Sequence, residues 1–369
     1  MTSTWFLRFI LTILILLAAG CSHHATVQGQ QYGDEQFSQP LNPVQLFPVT
    51  PVNISDYQKQ IALIKATSPS LYCQYHEIYL AIAQWLKQNP EQTHLNQVGL
   101  TTYELAGQDN WGNTHLTGYY TPVLKARHKP DDTFRYPLYA KPVNGGAQLP
   151  SRAEIYQGAL AGQGLELAYT SSLIDNFIME VQGSGYIDFE NGEPLVFFSY
   201  AGKNNRAYQS IGRLLVEQGE IPKKKISMQA IKGWAEKQRP DIILNLLQQN
   251  ESFVFFVPKF SAPVIGASGI PLVAKAAVAS DRSLIPSGSV LLVEVPLLNE
   301  KGVFNGQREL RLMTALDVGG AIKGHHLDIY QGIGHEAGEL AGFYNHYGRV
   351  WLIQPAKNSH LNVETSCQR

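Results

Sequence analysis

The chain has 369 residues, and its 29 Lys and Arg nearly balance its 30 Asp and Glu, for a formal net charge of −1. No basic block is present to track a phosphate backbone, so nucleic acid is not an expected partner and a neutral or weakly charged polymer fits better. The length is too great for one comfortable hydrophobic core and predicts two domains.

The chain opens with Arg8, the apolar run Phe9 to Leu17 and the small residues Ala18, Ala19 and Gly20 ahead of Cys21. A charged start, an apolar stretch and small residues form a secretory signal, here residues 1–20. The run falls short of the ~20 residues that cross a bilayer core, which argues against a permanent spanning helix. Leu17-Ala-Ala-Gly-Cys21 resembles the lipobox of bacterial lipoproteins, in which the cysteine thiol takes a diacylglycerol. Each buried methylene contributes ~0.8 kcal/mol, so several acyl chains on Cys21 suffice as an anchor. Ser22 follows Cys21, and lipoprotein sorting then implies the periplasmic face of the outer membrane.

Residues 21–53 are rich in Gln, Ser, Pro and Gly without periodicity, which reads as a tether. Helical spacing begins at Tyr57 to Ala66, with Ser55 as the expected cap, and returns at His76 to Lys87, where Ile78, Ala81, Ile82 and Trp85 share a face. Short helices are expected between about 124 and 257: Ser151 with Glu154, and Ser172 with Asp175, form capping patterns. Leu173, Phe177 and Val181 then make a core stripe. From Phe253 the character turns to β, with strands expected at Phe253 to Val257, Val290 to Val295, Leu310 to Leu316 and Arg349 to Ile353, a spacing that suits a small barrel. Residues 358–369 are a polar tail. Cys73 and Cys367 stand nearly three hundred positions apart, and spacing leaves both a disulfide and two free thiols open.

The densest chemistry lies between Asp317 and Asp328, two carboxylates bracketing Gly319, Gly320, Lys323, Gly324, His325 and His326. The glycines leave backbone exposed for close approach to a ligand. His325, His326, His335 and His346 invite a metal, but the helical zinc spacing is missing: Glu339, not a histidine, follows His335-Glu336 at the required place. Gly332-Ile-Gly334 fails the dinucleotide fingerprint, and Gln182-Gly-Ser184-Gly-Tyr186 has the wrong spacing for a serine elbow. No metal or cofactor is expected, and carboxylate chemistry is left. Gly118-Tyr119-Tyr120-Thr-Pro122, Gln182 to Tyr186 and Ser199-Tyr200-Ala-Gly-Lys203-Asn204 set aromatic rings beside glycine and small polar groups, a composition suited to stacking and hydrogen-bonding sugar rings. For any single tyrosine, core cover is an equally simple role.

On these motifs, with Leu149-Pro-Ser-Arg-Ala-Glu-Ile-Tyr156 and the lipobox, the chain resembles the membrane-bound lytic murein transglycosylase A family over nearly all of its mature length. The last third is similar to the module named for its three aspartates, here Asp281, Asp317 and Asp328. The resemblance implies a mainly β structure with short helices. Residues 54–123 plus 258–357 would build a double-psi β-barrel, residues 124–257 an inserted β domain, and a groove would run between them. It implies cleavage of the β-1,4 bond between N-acetylmuramic acid and N-acetylglucosamine in peptidoglycan glycan strands, leaving a 1,6-anhydro end. Cell-wall synthases and structural lipoproteins are the partners it suggests. The catalytic aspartate of the family falls on Asp328, with Asp317 in support. Tyr119, Gln182, Ser184, Tyr200, Lys203, Asp281 and Lys323 are the expected substrate contacts.

Such a reaction needs Asp328 protonated near neutral pH, above its unperturbed ~3.9, which burial and a like-charged Asp317 would achieve. The resulting carboxylate would then take a proton from the muramic acid C6 hydroxyl as that oxygen attacks C1. Two alternatives stand beside this: a hydrolase using Asp317 and Asp328 as a carboxylate pair, and a glycan-binding lipoprotein without catalysis.

Overall fold

The computed structural model describes residues 50–357 apart from 89, 109, 111 and 144–147, together with Cys367. The signal segment, Cys21 and all but the last few residues of the tether lie outside the described residues. In chain order run α1 (Ile54–Thr67), α2 (Pro69–Gln88), β1 (Leu100–Glu104), β2 (Thr114–Thr121), β3 (Val123–Arg127), β4 (Tyr136–Tyr139), α3 (Arg152–Tyr156) and β5 (Glu166–Thr170). There follow α4 (Leu173–Gln182), β6 (Gly185–Asp188), β7 (Val196–Lys203), α5 (Ile211–Glu217), α6 (Met228–Ala235), α7 (Pro240–Gln248) and β8 (Val254–Phe260). The last third carries β9 (Ala277–Ala279), β10 (Val290–Leu298), β11 (Phe304–Asp317), β12 (His326–Ile333), α8 (Gly334–Phe343), β13 (Asn345–Gly348) and β14 (Val350–Pro355). The protein is mainly β with short helices, as its sequence implies.

Among the described residues the strands form two sheets, one ordered β1-β14-β10-β11-β9-β12-β2-β13 and one ordered β4-β5-β3-β6-β7-β8. The edge strand β13 runs through Arg349 directly into β14, which lies next to the opposite edge, so the larger sheet must curl back on itself. Glu294 N donates to the Arg349 carbonyl at 2.9 Å across this closure. A Cβ on Gly348 would collide with the Glu294 carbonyl, so glycine is what lets β13 pass β10 so closely. Leu116, Val278, Leu291, Val293, Met313, Leu327 and Ile329 pack together on one face of the curled sheet. Leu292, Leu312, Trp351 and Ile353 point the other way, beneath Tyr57, Ile64, Ile82 and Trp85 of α1 and α2. With both faces covered, the first half of β10, Val290 to Val293, reads as an apolar run rather than an alternation.

The chain leaves the larger sheet at Pro122, which has no N–H for a ladder and separates β2 from β3. It returns after β8, so the whole smaller sheet is inserted between β2 and β9. Two helix starts differ from expectation. The first helix begins at Ile54 with Asn53 rather than Ser55 at its N-cap position, and the Asn53 side chain is spent on tertiary bonds: Nδ2 donates to the Lys275 and Leu312 carbonyls, and Oδ1 accepts from Leu312 N. The second starts a turn and more early, because Pro69 suits the first helical position. The Ser151–Glu154 capping box is present, and Ser172 accepts from Asp175 N. Phe177 is buried, but Val181 is 42% exposed and leaves the expected stripe. Cys73 and Cys367 are joined as a disulfide, their Cα atoms 5.3 Å apart, which pins this point of the tail to α2. Among the described residues no helix is long and apolar enough to cross a membrane.

Candidate active site

The site is produced by one register. Strands β2 and β12 run parallel, pairing His115 with His326, Thr117 with Asp328 and Tyr119 with Tyr330. Side chains alternate along a strand, so these three pairs form a polar ladder on one face while Leu116, Leu327 and Ile329 enter the apolar cluster on the other. Each rung is a contact: the two histidine rings stack at 4.3 Å, Thr117 Oγ1 lies 2.6 Å from Asp328 Oδ1, and the two tyrosine rings sit 5.2 Å apart. Behind β2, a Cβ on Gly118 would come within 2.9 Å of the Ala341 Cα of α8, so the glycine sets how tightly that helix backs the site.

Asp317, the last residue of β11, joins this face through β9. Ala279 is in register with Asp317 on one side and with Asp328 on the other. Two strand spacings separate the aspartates, roughly 10 Å between Cα atoms. A register irregularity between Ala315 and Asp317 turns the Asp317 side chain toward the backbone N–H groups of Ala267 (2.8 Å) and Val318 (2.9 Å) and the Tyr119 hydroxyl (2.9 Å), all of which donate to it.

Burial pushes the Asp328 carboxyl up to about 7; the nearby Asp317 adds to the rise, and the Thr117 hydrogen bond opposes it. Burial also raises Asp317, against the pull of its three donors and of Arg282. Burial and the two aspartates hold the Tyr119 phenol far above its ordinary value, so it remains a donor. His326 is depressed to about 4, by burial first and by His115 second. Asp281 behaves in the opposite way. It accepts from Gly324 N and from Ser283 N and Oγ, which lower it to about 2, and it thereby fastens the end of the glycine-rich loop. Among the described residues no three His, Cys, Asp or Glu side chains gather to hold a metal ion.

Comparison with known proteins bears on this geometry. The family model described as "MltA specific insert domain" matches residues 115–257, and the "3D domain" model matches residues 276–354. The membrane-bound lytic murein transglycosylase A of Escherichia coli K12 is 52% identical over 358 residues, covering 96% of this chain and 98% of the relative. The chain belongs to the membrane-bound lytic murein transglycosylase A family. The Vibrio cholerae member is 44% identical over 347 residues, 94% of each chain. The crystal structure of E. coli MltA with bound chitohexaose superposes with a TM-score of 0.85 at 54% identity, over 90% of this chain and 99% of that one.

Within this family member the residues singled out from sequence are only partly brought together. Asp317, Asp328 and Tyr119 meet on one face. Gln182 ends α4 and its Oε1 accepts from Tyr120 N at 3.0 Å, which ties the smaller sheet's helix to β2 one residue beyond Tyr119. Ser184 lies half-buried in the turn that follows. Tyr200, 51% exposed, and Lys203 lie on the outer part of β7, with no contact to either aspartate among the described residues. Lys323 is exposed on the glycine-rich loop near Asp281. Thr117 and Tyr330 carry no site signal of their own in the sequence, and His326 and Tyr186 stand out there only as a metal candidate and as part of a stacking motif, yet all four belong to the cluster: Tyr186 Oη donates to the Ala262 carbonyl at 2.9 Å and lies close enough to Tyr330 to raise its phenol. Period-2 spacing from Asp328 to His326 and Tyr330 is the one signal that would have found two of them.

Proposed function

We propose that Asp328 is the single acid and base of this chain, a lytic murein transglycosylase acting on peptidoglycan. The carrying observation is the Asp328 carboxyl, half-buried beside Thr117 and Asp317 and pushed up to about 7 chiefly by loss of solvent, with no cation paired to it among the described residues. Protonated, Asp328 gives its proton to the glycosidic oxygen linking N-acetylmuramic acid to N-acetylglucosamine. As a carboxylate it then removes the proton of the muramic acid C6 hydroxyl, whose oxygen closes on C1 to leave the 1,6-anhydro ring. The nucleophile is already part of the sugar, so proximity replaces a bound water. The proton count is unchanged after one turnover.

A hydrolase would need a second carboxylate free to activate water or to attack C1. Asp317 is poorly suited to that, since three donors already occupy its oxygens. Its charge is better used to keep Asp328 protonated and to stabilise positive character at C1. General acid catalysis contributes ~10²- to 10⁴-fold, so binding and ring distortion must supply the remainder. For binding we assign Tyr119, Gln182, Ser184, Tyr200, Lys203, Asp281 and Lys323 along a groove between the barrel-like larger sheet and the inserted smaller one. The relative solved with bound chitohexaose supports a glycan ligand. Relatives are named membrane-bound, which supports membrane association; a lipid on Cys21, the periplasmic face of the outer membrane, and cell-wall synthases or structural lipoproteins as partners complete the reading.

Mass spectrometry of sacculi digested by the protein tests the chemistry. Anhydromuramic ends, one water lighter than reducing ends, are expected, and their disappearance with Asp328→Asn. Reducing ends would mean hydrolysis, and undiminished release by Asp328→Asn would remove Asp328 from the reaction.

A further inference from the structure

His326 precedes Asp328 by two residues on the same strand face, and Thr117 Oγ1 stands between them, 2.6 Å from Asp328 Oδ1 and 2.9 Å from His326 Nε2. A hydroxyl has one proton and donates to one of these neighbours at a time. Facing an ionised Asp328, Thr117 donates to the carboxylate. Facing a protonated Asp328, Thr117 can accept the carboxyl proton and turn its own toward His326, provided Nε2 carries a lone pair.

The surroundings of the ring supply that lone pair. Burial and the stacked His115 disfavour a charged imidazole. His115 Nε2 is itself engaged by Asn345 Oδ1 at 2.7 Å. A neutral imidazole has one N–H, and in the Nδ1–H tautomer the Nε2 that faces Thr117 Oγ1 at 2.9 Å is an acceptor. We infer that His326 is a positioning residue that keeps the acid loaded, because its Nε2 terminates a hydrogen-bond chain running from the Asp328 carboxyl through the Thr117 hydroxyl. This rests on Asp328 being the acid. The carboxyl proton stays on Asp328 in the resting enzyme. When it passes to the leaving oxygen, the Thr117 hydroxyl swings from His326 to the new carboxylate, and it swings back when the C6 proton arrives.

The groups around this chain are Asp317 from β11, His115 and Tyr119 from β2, Tyr330 from β12 itself, and Tyr347 from β13, whose His346 pairs with Leu116 on the opposite face; β9 contributes only Ala277, Val278 and Ala279. Burial holds both Tyr119 and Tyr330 in their neutral forms. Asp317 is therefore the charge that acts beside the chain.

Titration of the Asp328 carboxyl carbon by NMR, assigned by its loss in Asp328→Asn, reads the chain directly and without turnover. His326→Phe is expected to lower the midpoint by about one pH unit, the worth of one hydrogen bond, although the added apolar ring by itself would push it up. In a Thr117→Val background the same change should produce no further fall. His326→Gln, whose amide oxygen can accept from Thr117, should restore the midpoint, and nitrogen NMR of the wild type at about pH 6 should show the Nδ1–H tautomer. An unmoved or raised midpoint in His326→Phe, a fall that persists without the Thr117 hydroxyl, or an Nε2–H tautomer would overturn the role of His326. Activity retained by Asp328→Asn would instead overturn Asp328 as the acid, whatever the titrations show.

Discussion

Two kinds of shielded carboxylate coexist in this protein, one fully buried in ion pairs and one half-buried in the candidate site. In the inserted region, Glu180 is gripped by Arg152 through two hydrogen bonds of 2.7 and 3.1 Å, and Arg152 also donates to the Asn250 and Ser252 carbonyls. In the larger sheet, Glu104 meets Arg349 at 2.5 and 2.9 Å, with both side chains almost wholly buried. Burial raises the Glu180 carboxyl, and the guanidinium against it opposes that rise. Asp328 is raised by burial too, but what faces it is a hydroxyl and a second carboxylate. Where a carboxylate locks strands and helices together it is given a cation; on the polar ladder the cation is withheld, and the group keeps its proton.

Exchanging these environments separates their roles. The largest effect is expected from Asp328→Asn, which keeps shape and removes the acid: release of muropeptides should fall by ~10²- to 10⁴-fold, read by chromatography of digested sacculi. The fold should not suffer, because a half-buried acid without a cation partner has been replaced by a neutral amide of the same shape. Arg152→Met should do the reverse, leaving Glu180 buried without its partner at a cost of about 3–5 kcal/mol of stability in denaturant unfolding. Removing both partners, with Arg152→Met and Glu180→Leu together, should return most of that loss. A smaller effect is expected from Gly118→Ala, whose methyl presses on Ala341 of α8 and should cost about 1–3 kcal/mol by overpacking.

The pH dependence follows from the same contrast. The folded pKa of Asp328 lies near 7 and the unfolded one near ~3.9. Below both values the proton is bound in both states, and the group does not distinguish them. Between them only the folded state holds the proton, so the contribution of Asp328 to stability declines as pH rises from about 4 to 7 and levels off above. Thermal unfolding of the wild type and Asp328→Asn across this window should therefore diverge in favour of the variant. Activity should fall over the alkaline side of about 7, as the acid form is lost.

Sequence made the apolar part of this architecture legible. Val290 to Val295 and Leu310 to Leu316 announce buried strands because their side chains leave no other option, and Ser151 with Glu154 announces a helix start because the reciprocal cap is local. The strand carrying Asp328 was hidden, since the histidines and glycines around it read as a loop, and its alternation is visible only once Leu327 and Ile329 are seen as the inward face. Thr117 had no signal at all. It reaches Asp328 across 211 residues through a parallel register, and the insertion of the whole smaller sheet between β2 and β9 conceals that pairing. The two aspartates were found because carboxylates flanking a glycine-rich stretch are chemically conspicuous. What buries one of them without a cation is a property of strand order.

Infrared difference spectroscopy of the wild-type protein against Asp328→Asn at about pH 6 tests this most directly, because a carboxylic acid and a carboxylate absorb in separate regions. The wild type should show a protonated carbonyl band that the variant lacks and that fades as pH passes about 7, while the bands of Glu104 and Glu180 cancel. A difference spectrum containing only the carboxylate signature of Asp328 at that pH, in protein that cleaves at its full rate, would contradict a proton held ready on this side chain.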